Sequence, residues 1–195
     1  MSRVTAVSED DKAGRIVAAA TKVFLRYGYR RVTMADLAGA AGMSRPALYL
    51  VYPSKEVLFT AVLARVFAEV LGEIRQGLGH FVAPRDKLTF AVEVWCVHPF
   101  ELIQASPDAR DVLESGYEFA TEVTTRAAAD FVGILADILD PLVQKQAAVH
   151  LSAVEIAELL ANALPGFKQS SNTAAQLRQT IADLLTLVLA SLRTT

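Results

Sequence analysis

The sequence predicts an all-α protein of about nine helices, on three observations. Apolar residues recur at helical spacing along almost the whole 195-residue chain, and no window shows the alternation of apolar and polar residues that is typical of a β-strand. Several apolar segments follow a Ser or Thr that has an acidic residue three positions later, which is a helix-start signal. Gly and Pro residues separate the segments.

The first two predicted helices have clear ends. The first covers about residues 9–27 and is followed by Gly28, a residue that commonly ends helices. The second begins after Thr33, whose side chain can form a capping box with Asp36, and ends at Gly42. One apolar stripe runs along the first helix and comprises Ile16, Ala20, Val23, Phe24 and Tyr27.

A short third helix and a long fourth helix follow. Ser44 can cap the third helix, over about residues 45–52, and its first turn tolerates Pro46 because an amide there has no partner within the helix. Pro53 ends it, and the fourth helix runs from about 54 to 78. Interruptions at Pro84, Ser106-Pro107, Gly116, Pro141 and 166–172 place further helices at about 85–104, 107–115, 117–140, 151–166 and 173–193.

Charge is distributed unevenly along the chain. Residues 1–60 contain nine Lys and Arg against five acidic residues, and residues 61–195 contain ten against sixteen, within a net charge of -2. A basic module facing a polyanion would explain this division, although chance is the alternative. We therefore predict two domains, residues 1–53 and residues 54–195.

Several classes of protein are disfavoured. The single cysteine, Cys96, cannot close an internal disulfide, and an inert buried thiol is favoured over a redox sensor. His80, His98 and His150 lie far apart without ligand spacing, so no metal site and no cofactor are expected. The stretch 184–192 is too short to span a membrane and no secretion signal is present, which favours a cytoplasmic protein without membrane contact.

The second and third helices, with the turn at Gly42, predict a helix-turn-helix. In that motif the second helix enters the major groove of DNA. Ser44 and Arg45 at its start would bring free amides and a guanidinium to the bases, while Thr33 and Lys55 would contact phosphates. An ordinary helical hairpin is the alternative, in which Arg45 is a solvated surface residue and the tyrosines pack in the core.

A series of short features runs through residues 16–58. In chain order they are Phe24, Tyr27-Gly28-Tyr29, Thr33, Leu37-Ala38, Ala41-Gly42, the segment 44–49 and Pro53-Ser54-Lys55-Glu56. With these features, residues 16–58 resemble the N-terminal domain of TetR-family transcriptional regulators. The resemblance implies that Thr33, Tyr49 and Lys55 contact phosphates and that Arg45, Pro46 and Ala47 approach bases.

This chain departs from the family pattern after Tyr49. Leu50 and Val51 stand where many members have a polar or aromatic pair, and Tyr52 stands where Phe is usual. Leu50 cannot form a hydrogen bond with a base but can contact a thymine methyl group, so DNA shape would supply part of the specificity. The predicted DNA-binding residues are Thr33, Ser44, Arg45, Pro46, Ala47, Tyr49, Leu50 and Lys55.

A homodimer on a palindromic site is expected, because one short helix reads only a few base pairs. The last helix is apolar nearly all round, which requires cover on two faces, and the resemblance implies pairing through the last two helices. The alternative is a central helix of a monomer core. The predicted interface residues are Leu160, Leu164, Leu177, Ile181, Leu184, Leu185, Val188 and Leu192.

The resemblance further implies a cavity for a small-molecule effector in the C-terminal bundle. The aromatic candidates for its lining suit a hydrophobic or aromatic ligand, with ordinary core packing as the alternative. They are Trp95, His98, Phe100, Tyr117, Phe119 and Phe131.

The function expected from the sequence is a ligand-responsive transcriptional regulator, most simply a repressor, whose partners are double-stranded DNA, a small effector and a second copy of the chain. A DNA-binding regulator that has no small effector, and acts constitutively or through a protein partner, stays open. An enzyme is not expected, because no nucleophile with a nearby base, Gly-rich phosphate loop or paired carboxylates in an apolar setting is found.

Overall fold

The computed structural model describes residues 9–105, 118–144 and 150–192, and these residues form helices and no strand. The all-α prediction is confirmed. The predicted helix at 107–115 lies outside the described residues. The α-helices are α1 (Glu9–Tyr27), α2 (Met34–Ala40), α3 (Arg45–Tyr49), α4 (Lys55–Gly77), α5 (Pro84–Val92), α6 (His98–Ala105), α7 (Thr121–Val143), α8 (Ala153–Ser170) and α9 (Ala174–Ser191).

Local sequence signals set many of the helix ends. Thr33 caps α2 and Ser152 caps α8, and each forms the reciprocal capping box with the acidic residue three positions later. Gly28 and Gly42 adopt φ values of 76° and 66°, a left-handed conformation that a side chain would make costly. The predicted cap at Thr33 and the predicted stops at Gly28 and Gly42 are confirmed.

Two predicted breaks are wrong. Pro141 lies inside α7, which continues to Val143, because a proline near the end of a helix removes only one late hydrogen bond. Gly166 lies inside α8, which continues to Ser170 rather than ending near residue 166. A helix supported by packing on one face tolerates such residues because their cost, about 1 kcal/mol for Gly, is small.

A π-helical turn, Glu93–Val97, joins α5 to α6 without a break in the helical course. Periodicity alone does not distinguish such a turn from a regular helix, so the sequence analysis had no signal for it. Helices with π-turns are common at functional sites. Short 3-10 segments, Leu78–His80 and Glu118–Ala120, precede α5 and α7.

The chain divides into two compact units. Within the described residues the first comprises 9–66, 105 and 118–124, and the second comprises 67–104, 125–144 and 150–192. The domain boundary predicted after residue 53 stays a prediction.

The first unit has a closed aromatic core. The ring of Phe59 lies edge-on to Phe24 at 5.1 Å and against Tyr29 at 4.6 Å between ring centroids. Phe119 covers the outer side of Tyr29 at 5.6 Å. Tyr27, at the end of α1, is 47% exposed and does not join this core. The predicted apolar stripe of α1 is therefore wrong at this residue.

The second unit has a core formed by aliphatic side chains of α4, α5 and α7 to α9, with Leu135, Leu139 and Leu177 fully buried. Arg178 of α9 links this bundle at its surface. Its Nε donates to Glu93 at 2.8 Å, and its guanidinium lies 2.8 Å from Glu101. These two carboxylates raise the pKa of Arg178.

Candidate nucleic-acid interface

The turn between α2 and α3 is defined by backbone and side-chain hydrogen bonds. The N–H of Met43 donates to the carbonyl of Ala38 at 3.0 Å, which closes α2 beyond Gly42. The Ser44 side chain accepts from the N–H of Ala47 at 3.3 Å and so caps α3. Pro46 has no N–H and the N–H of Ala47 donates to Ser44, so of the first three residues of α3 only Arg45 carries an N–H without a partner within the helix.

α3 is attached to the protein by a single fully buried side chain. Leu48 has no exposed surface, whereas Arg45 and Pro46 are exposed and Ala47 is half-buried. Tyr49 is 38% exposed and Leu50, which ends α3, is 88% exposed. This exposed apolar side chain lies beside the residues that would approach bases.

Arg45 and Tyr49 form a pair across one helical turn. The guanidinium lies 5.5 Å from the centre of the tyrosine ring, and its terminal nitrogen donates to the Tyr49 hydroxyl at 3.4 Å. An exposed cation–π contact of this kind is worth about 0.5–1 kcal/mol. It is therefore strong enough to orient Arg45 and weak enough to yield to a base or a phosphate.

The hydroxyl of Thr33 is already engaged at the start of α2. It donates to the Asp36 carboxylate at 2.6 Å, and the N–H of Thr33 donates to the same oxygen at 2.9 Å. These hydrogen bonds lower the pKa of Asp36. A phosphate contact from the Thr33 hydroxyl therefore requires that it leave Asp36.

Lys55 has a structural role that the sequence analysis missed. Its ammonium donates to the carbonyls of Tyr29 and Val32, each at 3.1 Å, and lies 4.2 Å from the centre of the Tyr29 ring. Two of its three donors are therefore used to hold the segment between α1 and α2 against the start of α4. One donor is left for a phosphate.

A cationic groove between α1 and α2 was not predicted as a feature. Lys22, Arg26 and Arg31 line it, together with the α2 residues Ala35 and Gly39, and it encloses about 800 Å³. The excess of basic residues in the first third of the sequence was the signal for it.

Comparison with known proteins agrees with this geometry. The family model described as "Bacterial regulatory proteins, tetR family" matches residues 16–62. An HTH-type transcriptional repressor of Mycobacterium tuberculosis is 33% identical over 128 residues, which cover 62% of this chain and 68% of the relative. The chain belongs to the TetR family of bacterial regulatory proteins.

Two further similarities extend this result. The HTH-type transcriptional activator FasR of Mycolicibacterium smegmatis is 32% identical over 134 residues, which cover 63% of this chain but only 59% of FasR. A transcriptional regulator of Saccharomonospora viridis, solved in complex with choline, has the same fold with a TM-score of 0.67, 18% identity and coverage of 91% and 97% of the two chains. The two sequence relatives are named transcriptional regulators, which agrees with the expectation that the chain is not an enzyme, whereas the solved structure shows a likeness of fold alone.

The predicted ligand-lining residues of this TetR-family chain lie in different places. Trp95 and Phe131 are brought together in the second unit, where their rings stack at 4.4 Å and line a cavity. Phe100 is buried in the core, and His98 is exposed beside Glu93 at 3.9 Å. Phe119 packs in the first unit, and Tyr117 lies outside the described residues.

Most of the predicted dimer-interface residues face the interior of the chain itself. Leu184 and Val188 are half-buried and keep some surface. The other six, which are fully buried in the core of the second unit and so offer no surface to a second copy, are Leu160, Leu164, Leu177, Ile181, Leu185 and Leu192. The interface stays a prediction. The large apolar side chains that α8 and α9 expose, such as Leu159 and Leu187, are not among the predicted interface residues.

Cys96 is buried, and burial raises the pKa of its thiol to about 11. A thiol that stays protonated at neutral pH is a poor nucleophile, which favours the inert buried residue over the redox sensor. In the described part of the chain no group of His, Cys, Asp and Glu has the arrangement of a metal site. No described helix is long and apolar enough to cross a membrane.

Proposed function

We propose that the protein is a DNA-binding transcriptional regulator that acts as a homodimer on a palindromic operator and is released by a small hydrophobic or aromatic effector. The observation that carries the proposal is the exposure of α3, which keeps only Leu48 in the core and leaves Arg45 and Leu50 open. A major-groove helix needs this division between one anchored side and one free side. Bacterial DNA lies in the cytoplasm, where such a protein would act.

Phosphate binding is supported by the cations around α3. Lys55 keeps one free donor at the start of α4, and Lys22 and Arg26 add positive charge along the groove between α1 and α2. Each phosphate that is neutralised by a cation releases counterions, so binding falls steeply as salt rises. The sequence preference then depends on Arg45 and Leu50.

The direct test begins with selection from a random duplex library, which should return a palindromic sequence. On that sequence, Arg45→Ala should weaken binding by about 1–3 kcal/mol and relax the preference at one position in each half-site. Leu50→Ala should relax a preference for thymine. Arg75→Ala, which removes an exposed cation of α4 in the second unit, is the matched control and should leave binding unchanged. Selection of no sequence at all, or equal losses in all three variants, would overturn the proposal.

The dimer proposal is supported by the outer faces of α8 and α9. Leu159 is 61% exposed and Leu187 is 70% exposed. Leu187 lies on α9 with the half-buried Leu184 and Val188, and α8, which carries Leu159, packs against α9, so the two helices offer apolar side chains that a second copy could cover.

The oligomeric state tests this surface. The double variant Leu159→Glu with Leu187→Glu should sediment as a monomer and lose operator affinity. Val82→Glu is the control, because Val82 is 94% exposed and lies outside both helices, so this variant should remain dimeric. A double variant that stays dimeric would exclude this surface as the interface.

A repressor is the simplest form of the proposal, because a dimer on an operator blocks polymerase by occupying its site. The Mycobacterium tuberculosis relative is named a repressor, whereas FasR is named an activator. A reporter gene with the selected operator between promoter and start site should be less active when the protein is present. A rise in its activity would instead support activation.

A regulator without a small effector is the second candidate. The cavity beside Trp95 encloses about 230 Å³, less than the roughly 300–1,000 Å³ of most small-molecule sites. A thermal-shift screen distinguishes the two, since a ligand of the native state raises the melting temperature. A compound that both stabilises the protein and weakens operator binding supports the effector, and the absence of any such compound supports the second candidate.

A further inference from the structure

The cavity of about 230 Å³ in the second unit has walls of two kinds. Its inner wall is apolar and includes the half-buried Trp95 and the buried Phe131 and Leu164. Its rim is formed by α8, which contributes the polar side chains of Asn162 and Lys168. A ligand that fits both walls has an apolar body and one polar end.

Trp95 makes the inner wall rigid. Phe131 stacks on one face of the indole, with ring centroids 4.4 Å apart and planes within 6°, and Phe67 stacks on it at 5.8 Å. The π-helical turn Glu93–Val97 carries both Trp95 and Cys96 to the cavity. Because two aromatic rings already stack on the indole, a ligand would contact the part of it that they leave uncovered.

The rim carries an uncompensated positive charge. Lys168 is half-buried and, among the residues that the structure describes, it has no carboxylate or hydrogen-bond partner. Glu93 lies near enough to act on the pKa of Cys96, but its carboxylate is held by the guanidinium of Arg178 at 2.8 Å. Burial of the Cys96 thiol raises its pKa. Lys168, which also lines the cavity, is close enough to Cys96 to lower that pKa by a smaller amount.

We propose, as an extension of the regulator function above, that this cavity binds a small carboxylic acid. The apolar body of the acid would lie against Trp95, Phe131 and Leu164. Its carboxylate would accept from the Lys168 ammonium and the Asn162 amide at the rim. Since a water molecule occupies about 30 Å³ in the liquid, the cavity of about 230 Å³ holds a body of roughly eight non-hydrogen atoms.

The chemistry favours an anion over other ligands. An ammonium placed next to an apolar wall, with no carboxylate partner in the described part of the chain, attracts a carboxylate more strongly than it would in bulk water. A cationic ligand such as choline would meet repulsion at the same position. The competing explanation is that the Lys168 stem only covers apolar surface while its ammonium remains in water, and the experiment below distinguishes the two.

The chain contains one tryptophan, Trp95, so its fluorescence reports directly on the cavity. We would titrate the full-length protein with phenylpropionate and hexanoate, and with the matched amides phenylpropionamide and hexanamide. The acids should bind at least about 10-fold more tightly than their amides, because hydrogen bonds to a charged group are the stronger ones.

Variants of Lys168 identify the cause of that preference. Lys168→Met should remove the preference for acid over amide while leaving the weak binding of the amides, and Lys168→Arg should restore it. Lys87→Met, which removes a lysine of α5 in the same unit, is the control and should bind both probes as the unchanged protein does. Ala128→Phe, at an exposed position on the rim, should block acid and amide alike.

Three results would overturn the proposal: equal affinity for acid and amide, an acid preference that survives in Lys168→Met, or no fluorescence change with any probe up to about 10 mM, where binding would be too weak to matter. Operator binding is measured separately in the same samples. Acids that bind through Lys168 while the protein binds no operator would refute the regulator function and leave the carboxylate site. Operator binding without acid binding would support the regulator function and refute the carboxylate site.

Discussion

The two units contain aromatic clusters of similar composition and different packing. In the first unit Phe24, Tyr29, Phe59 and Phe119 form a group whose inner rings are buried, and Lys55 closes one side of Tyr29. In the second unit Trp95 and Phe131 stack tightly but border an open cavity. The first arrangement packs the interior of the unit that contains the proposed DNA-binding surface. The second leaves space for a ligand.

The largest expected effect is the removal of a ring from the closed cluster. Phe59→Ala should lower the free energy of unfolding by about 3–5 kcal/mol, because Phe59 is fully buried and contacts three aromatic rings. Phe131→Ala should cost less, since that ring already borders empty space. Urea denaturation measures both. A greater loss of stability for Phe131→Ala than for Phe59→Ala would contradict the difference in packing between the two clusters.

Lys55 provides the next test, because it supports the closed cluster and also faces the proposed DNA surface. Lys55→Met removes two hydrogen bonds to carbonyls and a cation–π contact, and should lower the free energy of unfolding by about 2 kcal/mol. Lys22→Met is the control: it should leave stability within about 0.5 kcal/mol and weaken only DNA binding. Equal stability of the two variants would show that the Lys55 contacts contribute nothing to the fold.

Close packing in the second unit, away from the cavity, can be tested with two glycines of α4. A Cβ added at Gly77 would overlap the ring of Phe90, whereas one added at Gly72 meets nothing within 4 Å. Gly77→Ala should therefore destabilise the protein by about 1–3 kcal/mol. Gly72→Ala should stabilise it by about 0.5–1 kcal/mol. Thermal unfolding of the pair measures this, and stabilisation by both would mean that Phe90 moves aside freely.

The smallest expected effect concerns the two capping boxes of the described residues, one in each unit. Hydrogen bonds from Thr33 lower the pKa of Asp36, and those from Ser152 lower the pKa of Glu155. Carboxyl groups with a lowered folded-state pKa stabilise the protein above their unfolded values, about 3.9 and 4.3, and lose that contribution as pH falls through the folded values.

The double variant Asp36→Asn with Glu155→Gln should therefore lose less of its melting temperature between about pH 6 and pH 3 than the unchanged protein. Glu73→Gln, an exposed glutamate of α4, is the control and should keep the full dependence on pH. If the double variant is as sensitive to acid as the control, the caps do not account for any of the acid lability.

Short-range signals explain why the fold and the helices of the helix-turn-helix segment were predictable. A capping box needs residues three positions apart, as in Thr33 with Asp36, and a left-handed glycine such as Gly42 acts within its own turn. The motif that contains Arg45 and Leu50 lies in one short segment, so its helices were identified before any coordinates. The role of Lys55 escaped the sequence analysis because its partners are 23 and 26 residues away.

Sequence by itself therefore determined the helices, their caps and the resemblance of residues 16–58 to a family of regulators, since each depends on neighbours along the chain. Tertiary structure alone decided which side of an apolar helix is covered: Leu177 is buried, whereas Leu187, ten residues later on α9, is exposed. It likewise separated Phe119 from Phe131, and it brought Trp95 and Lys168 to one cavity. The hydrophobic effect is non-directional and acts between residues at any distance along the sequence. Only the packed chain therefore determines which apolar residues meet.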